Sequence, residues 1–204
     1  MIKNIVFDFG DVFINLDKPA TIRELQKLGV EKITHEMLEI AESYEVGRIS
    51  SEEFVNAFTN LHPNITGQQF IDAWNAILKD FPSHRMDFIK ELHASQKYRL
   101  FLLSNTNDLH ISWIQDDWQA KLYSEFKDQF EQFYLSHEIN LRKPNKDIFE
   151  FVLQENGLKP KETYFIDDTK ENTDAAKELG IHVWNIDPTT EDVVDLLARK
   201  EFQE

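Results

Sequence analysis

The chain has 204 residues, of which 41% are hydrophobic and 29% charged, and its formal net charge is −15. This length suits one sizeable domain, or a domain with an insert. The acidic balance argues against a nucleic-acid or anionic-membrane partner. The absence of cysteine excludes disulfides and cysteine-ligated metals. No apolar run is long enough for a membrane helix or a signal peptide, so we expect a cytoplasmic protein.

The first predicted element is a short apolar strand, IVF at residues 5–7, which is followed by Asp8 and Gly10. In open parallel α/β sheets, ligands bind at the carboxyl ends of the strands. The strand therefore predicts a carboxylate at the mouth of a sheet. Taken alone, Asp8 is more simply a turn residue, and its meaning depends on the side chains at the ends of the later strands.

Four helical patterns and no credible strand come next, between about residues 18 and 81. Two of these helices begin with a capping box, in which a Ser or Thr precedes a Glu or Gln by three residues. Ser50 with Glu53 forms one box, and Thr66 with Gln69 forms the other. The segment is thus predicted to be a helical insert.

After the insert, strands and helices alternate. Apolar stretches predict four further strands, at residues 99–103, 133–136, 163–166 and 181–184. A helical pattern follows each of them, the last beginning after Pro188. This alternation predicts a parallel sheet with right-handed crossovers. The predicted fold is therefore an α/β core of residues 1–16 and 83–204, with a helical cap of residues 17–82 inserted after the first strand.

The side chains that could react or bind a ligand lie where these strands end or where the following helices begin. They are Asp8, Ser104, Asn105, Lys143, Asp167 and Asp168. Each has a simpler explanation as a helix cap or a surface residue. Because the carboxyl ends of parallel strands share one edge of a sheet, we expect the six side chains to converge there.

These residue types suit phosphoryl transfer. A carboxylate such as Asp8 can attack phosphorus and form an aspartyl phosphate. Acidic side chains provide the hard oxygen ligands that Mg²⁺ prefers. A lysine such as Lys143 and a hydroxyl such as that of Ser104 can neutralise and orient phosphate oxygens. These residues therefore form a coherent set for Mg²⁺-assisted phosphoryl transfer.

Four segments of the chain resemble the motifs of the haloacid dehalogenase-like (HAD) hydrolase superfamily: DFGDV, LLSN, RKPNKDIF and YFIDDTKENTDAAKELG. Within that superfamily the chain is most similar to bacterial sugar-phosphate phosphatases, particularly the α-D-glucose-1-phosphate phosphatase branch. The resemblance implies a Rossmann-like core with a helical cap, a Mg²⁺ cofactor and a phosphatase activity. The expected substrate is a small phosphorylated metabolite, with a sugar phosphate as the first choice.

The resemblance also assigns roles to individual residues. Asp8 would be the nucleophile. The metal ligands would be Asp8, the carbonyl of Gly10, Asp168 and Asp167, and the phosphate-binding residues would be Ser104, Asn105 and Lys143. The cap segment YEVGRIS resembles a loop that faces the active site in capped relatives, so Glu45 or Arg48 could contact the leaving group. A helix end with solvated charges is an equally good interpretation of that loop.

One position departs from the family pattern. Most members carry a second Asp two residues after the nucleophile, which serves as general acid and base, whereas this chain has Gly10 there. A glycine offers its carbonyl to a metal but has no proton to donate. Asp11 is the next residue, and the sequence does not give the direction of its carboxylate.

Several alternatives stay open. A haloacid dehalogenase uses no Mg²⁺, and the adjacent acids Asp167 and Asp168 speak against it. A phosphomutase depends heavily on the acid that Gly10 replaces. A signalling receiver also combines an acidic pair, a phosphorylated Asp and a Lys, but it has the pair after its first strand and has no cap. A catalytically weak HAD-like binding protein is favoured only by Gly10.

Overall fold

The structure of the protein, a computed structural model, describes residues 1–203, and for Gln119 it describes the backbone alone. A five-stranded sheet lies at its centre, and its strands pair in the order β3-β2-β1-β4-β5, all parallel. The strands are β1 (Asn4–Phe7), β2 (Arg99–Ser104), β3 (Gln132–Leu135), β4 (Thr163–Asp167) and β5 (His182–Asn185). This confirms the predicted parallel α/β fold.

Ten α-helices accompany the sheet in residues 1–203. They are α1 (Ala20–Lys27), α2 (His35–Glu45), α3 (Ser51–Leu61), α4 (Gly67–Asn75), α5 (Ser83–Ser95), α6 (Asp108–Asp117), α7 (Gln119–Lys127), α8 (Ser136–Ile139), α9 (Lys146–Glu155) and α10 (Lys170–Glu178). Short 3₁₀ helices span Pro160–Glu162, Val193–Ala198 and Lys200–Phe202. Among the described residues, no helix has the length and apolar character that crossing a bilayer requires.

Successive residues of the strands point to opposite faces of the sheet, and both faces are buried. On one face, Phe7 and Leu102 pack in a cluster with Ile89 of α5 and with several aromatic side chains. On the other face, Phe101 packs in a cluster with Phe149 of α9 and other apolar residues. The core therefore has three layers, as expected for strands that are almost wholly apolar.

Helices α1–α4 have a hydrophobic cluster of their own. Two stacked aromatic pairs are part of it: the ring centroids of Tyr44 and Phe54 are 4.2 Å apart, and those of Phe58 and Phe70 are 3.8 Å apart. Both predicted capping boxes are present, at the N-termini of α3 and α4. These helices need no partner from the sheet to bury their apolar faces. The division into two domains at residues 17–82 remains a prediction.

The chain enters and leaves the helical insert through two adjacent segments. Residues 15–17 run antiparallel to residues 77–80, with a hydrogen bond of 2.8 Å from the backbone N–H of Asp17 to the carbonyl of Ile77. Asn15 and Lys79 extend this pairing at 3.0 Å. The insert is thus joined to the core by a two-stranded linker.

One predicted element is wrong. Between Pro188 and Gln203 the chain forms no α-helix; it makes a turn and then the 3₁₀ helix Val193–Ala198. Two acidic side chains take up the local backbone donors. Asp187 accepts the backbone N–H of Thr189 at 3.0 Å, and Asp192 accepts that of Val194 at 3.3 Å. Such local bonds compete with helix formation.

Candidate active site

The candidate site lies at the carboxyl end of β1. Strand β1 pairs with β2 on one side and with β4 on the other, so the chain reverses its direction of winding there. Such switch points leave a crevice in which α/β proteins bind ligands. Asp8 follows β1, Ser104 ends β2 and Asp167 ends β4. Three of the predicted residues therefore meet at this crevice because the sheet has this strand order.

Lys143 is the centre of the site, and its side chain is 1% exposed. Its ammonium donates hydrogen bonds to Asp8 Oδ1 at 2.8 Å, to Asp167 Oδ2 at 2.7 Å and to the carbonyl of Leu103 at 2.8 Å. All three ammonium protons have an acceptor. A buried lysine is stable only when it is paired in this way.

The two carboxylates and the lysine shift one another's proton affinity. Burial raises the pKa of Asp8 to about 7, the charge of Lys143 opposes this, and the charge of Asp167 adds to it. Burial disfavours the charged form of Lys143, but Asp167 and Asp8 outweigh burial and raise the pKa of the ammonium. Lys143 therefore stays charged. A further positive charge near Asp8, such as a metal ion, would favour the ionised form of its carboxyl group.

Asp167 is fully buried and fully bonded. Besides Lys143, it accepts the backbone N–H of Thr169 at 2.8 Å, and the amide of Asn172 donates to both of its oxygens at 3.0 Å. These bonds fix the orientation of the Asp167 carboxylate, so that its Oδ2 faces the Lys143 ammonium. The spacing of Asn172 from Asp167, five residues along the chain, was the only sequence signal for this contact.

The carboxylates also form a candidate metal site. Asp8, Asp167 and Asp168 each place an oxygen within 4.8 Å of the others. Four carboxylates, including that of Asp11, and the ammonium groups of Lys143 and Lys18 leave this cluster with a formal charge of −2. Hard oxygen donors and a deficit of two positive charges fit Mg²⁺.

Asn105 contacts Lys143 through the backbone. Its side-chain amide donates to the carbonyl of Lys143 at 2.8 Å and accepts the N–H of Lys143 at 2.9 Å. This reciprocal pair ties the loop after β2 to the loop that carries the lysine. The Asn105 side chain therefore positions Lys143, and a direct contact of Asn105 with phosphate remains a prediction.

Two cavities adjoin the site. The first, of about 400 Å³, lies over Asp8, Lys143 and Asp168, and we call it the carboxylate cavity. The second, of about 320 Å³, lies between the helical insert and the core, and we call it the cap cavity. Within residues 1–203, four residues line both of them: Gly10, Leu16, Lys18 and Asn105. The two cavities are therefore neighbours, and these four residues form the boundary between them.

The cap cavity combines apolar walls with a few polar groups. Trp74 stacks on His110, with ring centroids 5.4 Å apart, and Thr21, Glu45 and Asn107 add polar atoms. Burial lowers the pKa of His110 to about 4, so its ring is neutral at pH 7. The sequence pattern of α4 predicts that Trp74 belongs to the core of the cap, and Trp74 does pack against the hydrophobic cluster of α1–α4. It also lines the cap cavity.

The loop after α2 docks on the core. Glu45 Oε1 accepts a hydrogen bond from Arg142 Nε at 2.8 Å, and the carbonyl of Glu45 accepts one from Ser136 Oγ at 2.7 Å. Glu45 lines the cap cavity, whereas Arg48 is exposed and lines neither cavity. Of the two candidates for contact with a leaving group, the structure therefore favours Glu45.

Gly47 is where this loop comes closest to the core. Its φ is +67°, and a Cβ built on it would lie 2.1 Å from the carbonyl oxygen of His137. We expect Gly47→Ala to lower the thermal unfolding midpoint and to expose the linker at residues 77–80 to proteases, because the loop must move away from the core. Gly29→Ala is the matched control, since Gly29 has a φ of +94° and a Cβ built on it would contact nothing within 4 Å. Equal effects of the two substitutions would mean that backbone strain alone matters.

A sequence model described as haloacid dehalogenase-like hydrolase matches residues 2–180. The chain belongs to this family. A D-ribitol-5-phosphate phosphatase of Bacteroides thetaiotaomicron is 30% identical over 190 residues, which cover 90% of this chain and 91% of that protein. The chain therefore matches this phosphatase over nearly its whole length.

Solved structures of HAD-family proteins show the same fold. A B. thetaiotaomicron HAD-family enzyme, solved as a magnesium complex, superposes with a TM-score of 0.85 at 36% identity, covering 97% of this chain and 99% of that chain. A predicted HAD-like hydrolase of Porphyromonas gingivalis superposes with a TM-score of 0.85 at 34% identity, covering 100% and 99%. The predictions of the family, the hydrolase class and a magnesium cofactor are confirmed at the level of these relatives.

Sequence reasoning missed Lys18. It lies on the linker between the first strand and the cap, its ammonium pairs with Asp168, and it lies 3.2 Å from Asp11 Oδ2. No motif marks this lysine, and Asp168 is far away in the chain. His110 was missed for a similar reason, because its position at the cap cavity depends on how α4 packs against α6.

Proposed function

We propose that this HAD hydrolase is a Mg²⁺-dependent phosphatase that acts on a small phosphorylated metabolite through an aspartyl phosphate on Asp8. The observation that carries the proposal is the buried Lys143 ammonium, which bridges Asp8 and Asp167 beside Asp168. This arrangement places the Asp8 carboxyl group at a cavity and in contact with positive charge, and a metal ion bound beside it would favour its ionised form. Those are the requirements of a carboxylate nucleophile for phosphorus.

Each residue of the site has a separate task. Asp8 Oδ attacks phosphorus, the bond from phosphorus to the leaving oxygen breaks, and that oxygen takes the electron pair. Lys143 and the hydroxyl of Ser104 orient the phosphate oxygens. Mg²⁺ would be held by Asp8, Asp168 and the carbonyl of Gly10, with Asp167 fixed beside them by its own hydrogen bonds. It would supply the charge that lets two anions approach each other. Water then attacks the phosphorus of the aspartyl phosphate and releases inorganic phosphate and free Asp8.

The cap cavity suggests the class of leaving group. Its volume of about 320 Å³ suits a small molecule, and Thr21, Glu45 and Asn107 offer hydrogen bonds to hydroxyl groups beside the apolar wall of Trp74. A relative named D-ribitol-5-phosphate phosphatase also supports a phosphorylated polyol or sugar. We therefore propose a sugar or sugar-alcohol phosphate, with the phosphate over Asp8 and the hydroxylated carbon chain in the cap cavity.

The dehalogenase alternative has less support. Solved dehalogenases match at 16% identity with TM-scores of 0.60 and 0.59, which shows a shared fold alone. The two adjacent acids at the end of β4 and the buried lysine serve a metal and a phosphate better than a halide. Chloride release from 2-chloropropionate, without phosphate release from any substrate, would move the assignment to a dehalogenase.

The direct test is phosphate release from a panel that includes ribitol 5-phosphate, α-D-glucose 1-phosphate and p-nitrophenyl phosphate, with Mg²⁺ or with excess EDTA. We expect activity only with Mg²⁺. Asp168→Asn should raise the Mg²⁺ concentration for half-maximal rate by about tenfold or more, because an amide binds the metal more weakly. Asp174→Asn is the control, since Asp174 is an exposed residue of α10 that pairs with Lys170. Full activity in EDTA would contradict the metal requirement.

A further inference from the structure

Gly10 stands where most family members carry a general acid, so another group would have to stabilise the leaving oxygen. Asp11, the next residue, is the first candidate. Asp11 has a φ of +55°, and its Oδ1 accepts the backbone N–H of Leu16 at 2.9 Å. Its Oδ2 lies 3.2 Å from the Lys18 ammonium. Both oxygens are thus engaged within the linker. Asp11 holds Lys18 in place and has no free oxygen directed at the substrate.

His110 is not the missing group either. Its Nε2 is 3.3 Å from the carbonyl of Trp74, which requires the proton to be on Nε2. Its Nδ1 then accepts from the amide of Asn107 at 3.2 Å. The ring is neutral and both nitrogens are bonded. His110 forms a fixed wall of the cap cavity and has no proton to give.

Lys18 lies at the boundary between the two cavities. Among the lysines and arginines of the described chain, it is the one that lines both the carboxylate cavity and the cap cavity. Its side chain is 53% exposed, so it can turn toward a ligand. A bond between a phosphorus over Asp8 and an oxygen of a chain in the cap cavity must cross this boundary. The leaving oxygen therefore passes beside Lys18.

We propose that the Lys18 ammonium is a catalytic group that donates a hydrogen bond to the leaving oxygen and stabilises the negative charge that develops on it. The proposal rests on the phosphatase function above. As the phosphorus–oxygen bond breaks, its electron pair goes to that oxygen, Lys18 keeps its proton, and water supplies the proton of the released alcohol. Asp11 tethers Lys18 at this point, and the tether stays in place when Asp168 binds a metal.

The test compares leaving groups of different basicity. Lys18→Met keeps the length of the side chain and removes its charge. We expect kcat/KM for ribitol 5-phosphate or another alkyl phosphate to fall by about 10²-fold, the usual effect of removing one donor to a developing oxyanion. For p-nitrophenyl phosphate, whose leaving oxygen carries little basicity, the loss should be only about threefold. Lys18→Arg, which keeps the charge, should restore much of the alkyl phosphate activity.

Lys79→Met is the matched control, because Lys79 lies on the other strand of the linker, pairs with Asp17 and lines neither cavity. Thermal unfolding of each variant separates loss of folding from loss of function, and Lys18→Gln serves if the methionine variant is unstable. Equal losses on alkyl and aryl phosphates would overturn the role of Lys18 at the leaving oxygen, and so would no loss on either. A wild-type protein that releases phosphate from no substrate would instead overturn the proposed function.

Discussion

Asp8→Asn is expected to abolish phosphate release, with a loss of about 10⁴-fold or more in kcat, as is found when a nucleophile is removed. The amide neither attacks phosphorus nor binds Mg²⁺ well. The measurement is release of inorganic phosphate at saturating Mg²⁺.

The stability of Asp8→Asn is its internal control. In the native protein the single ammonium of Lys143 is shared between Asp8 and Asp167. After the substitution one buried anion faces one buried cation, so the free energy of unfolding should stay the same or rise. A variant that is folded but inactive would establish Asp8 as the nucleophile. A variant that keeps more than about a hundredth of the activity would place the nucleophile elsewhere.

Lys143→Met has the second largest expected effect, and it acts on both activity and stability. The substitution leaves Asp8 and Asp167 buried side by side without their shared ammonium. Removing one partner of a buried ion pair typically costs about 3–5 kcal/mol, so we expect a loss of this order in denaturant unfolding in EDTA. Because Mg²⁺ replaces part of the missing positive charge, added Mg²⁺ should recover some of that loss.

A double variant gives the sharper test of this coupling. Asp8→Asn combined with Lys143→Met removes an anion together with the cation, so it should be more stable than Lys143→Met alone. Lys146→Met is the control, since Lys146 lies three residues further along and pairs with Glu178 at the surface. Strictly additive effects of the two substitutions at Asp8 and Lys143 would contradict an electrostatic link between them.

The sequence predicts the three central strands well, because each contains a continuous apolar run that a polar side chain follows. Strands buried on both faces carry this signal regardless of their neighbours. The capping boxes at Ser50 and Thr66 were equally readable, since they involve residues only three positions apart. The helix expected after Pro188 failed because the competing side-chain bonds of Asp187 and Asp192 are not visible in a hydrophobic pattern.

The candidate site was predictable in its members but not in their bonds. Five of the six residues named from the sequence lie at the carboxylate cavity or directly beneath it: Asp8, Asn105, Lys143, Asp167 and Asp168. The sixth, Ser104, lines the cap cavity. That Asn105 holds the backbone of Lys143 could not be foreseen, because the two residues are 38 positions apart and meet through tertiary packing. The direction of Asp11 likewise depends on a left-handed backbone and on the position of Lys18.

The narrow boundary between the two cavities has a consequence for how such enzymes diversify. In the described part of the chain, only Gly10, Leu16, Lys18 and Asn105 line both the carboxylate cavity and the cap cavity. Positions such as Thr21, Trp74 and Ile77 contact the cap cavity alone. Under the proposed function, mutations there would change which carbon skeleton fits without moving Asp8. A duplicated copy of this gene could therefore acquire a new substrate by drift in one wall of one cavity, while selection holds the chemistry in the other fixed.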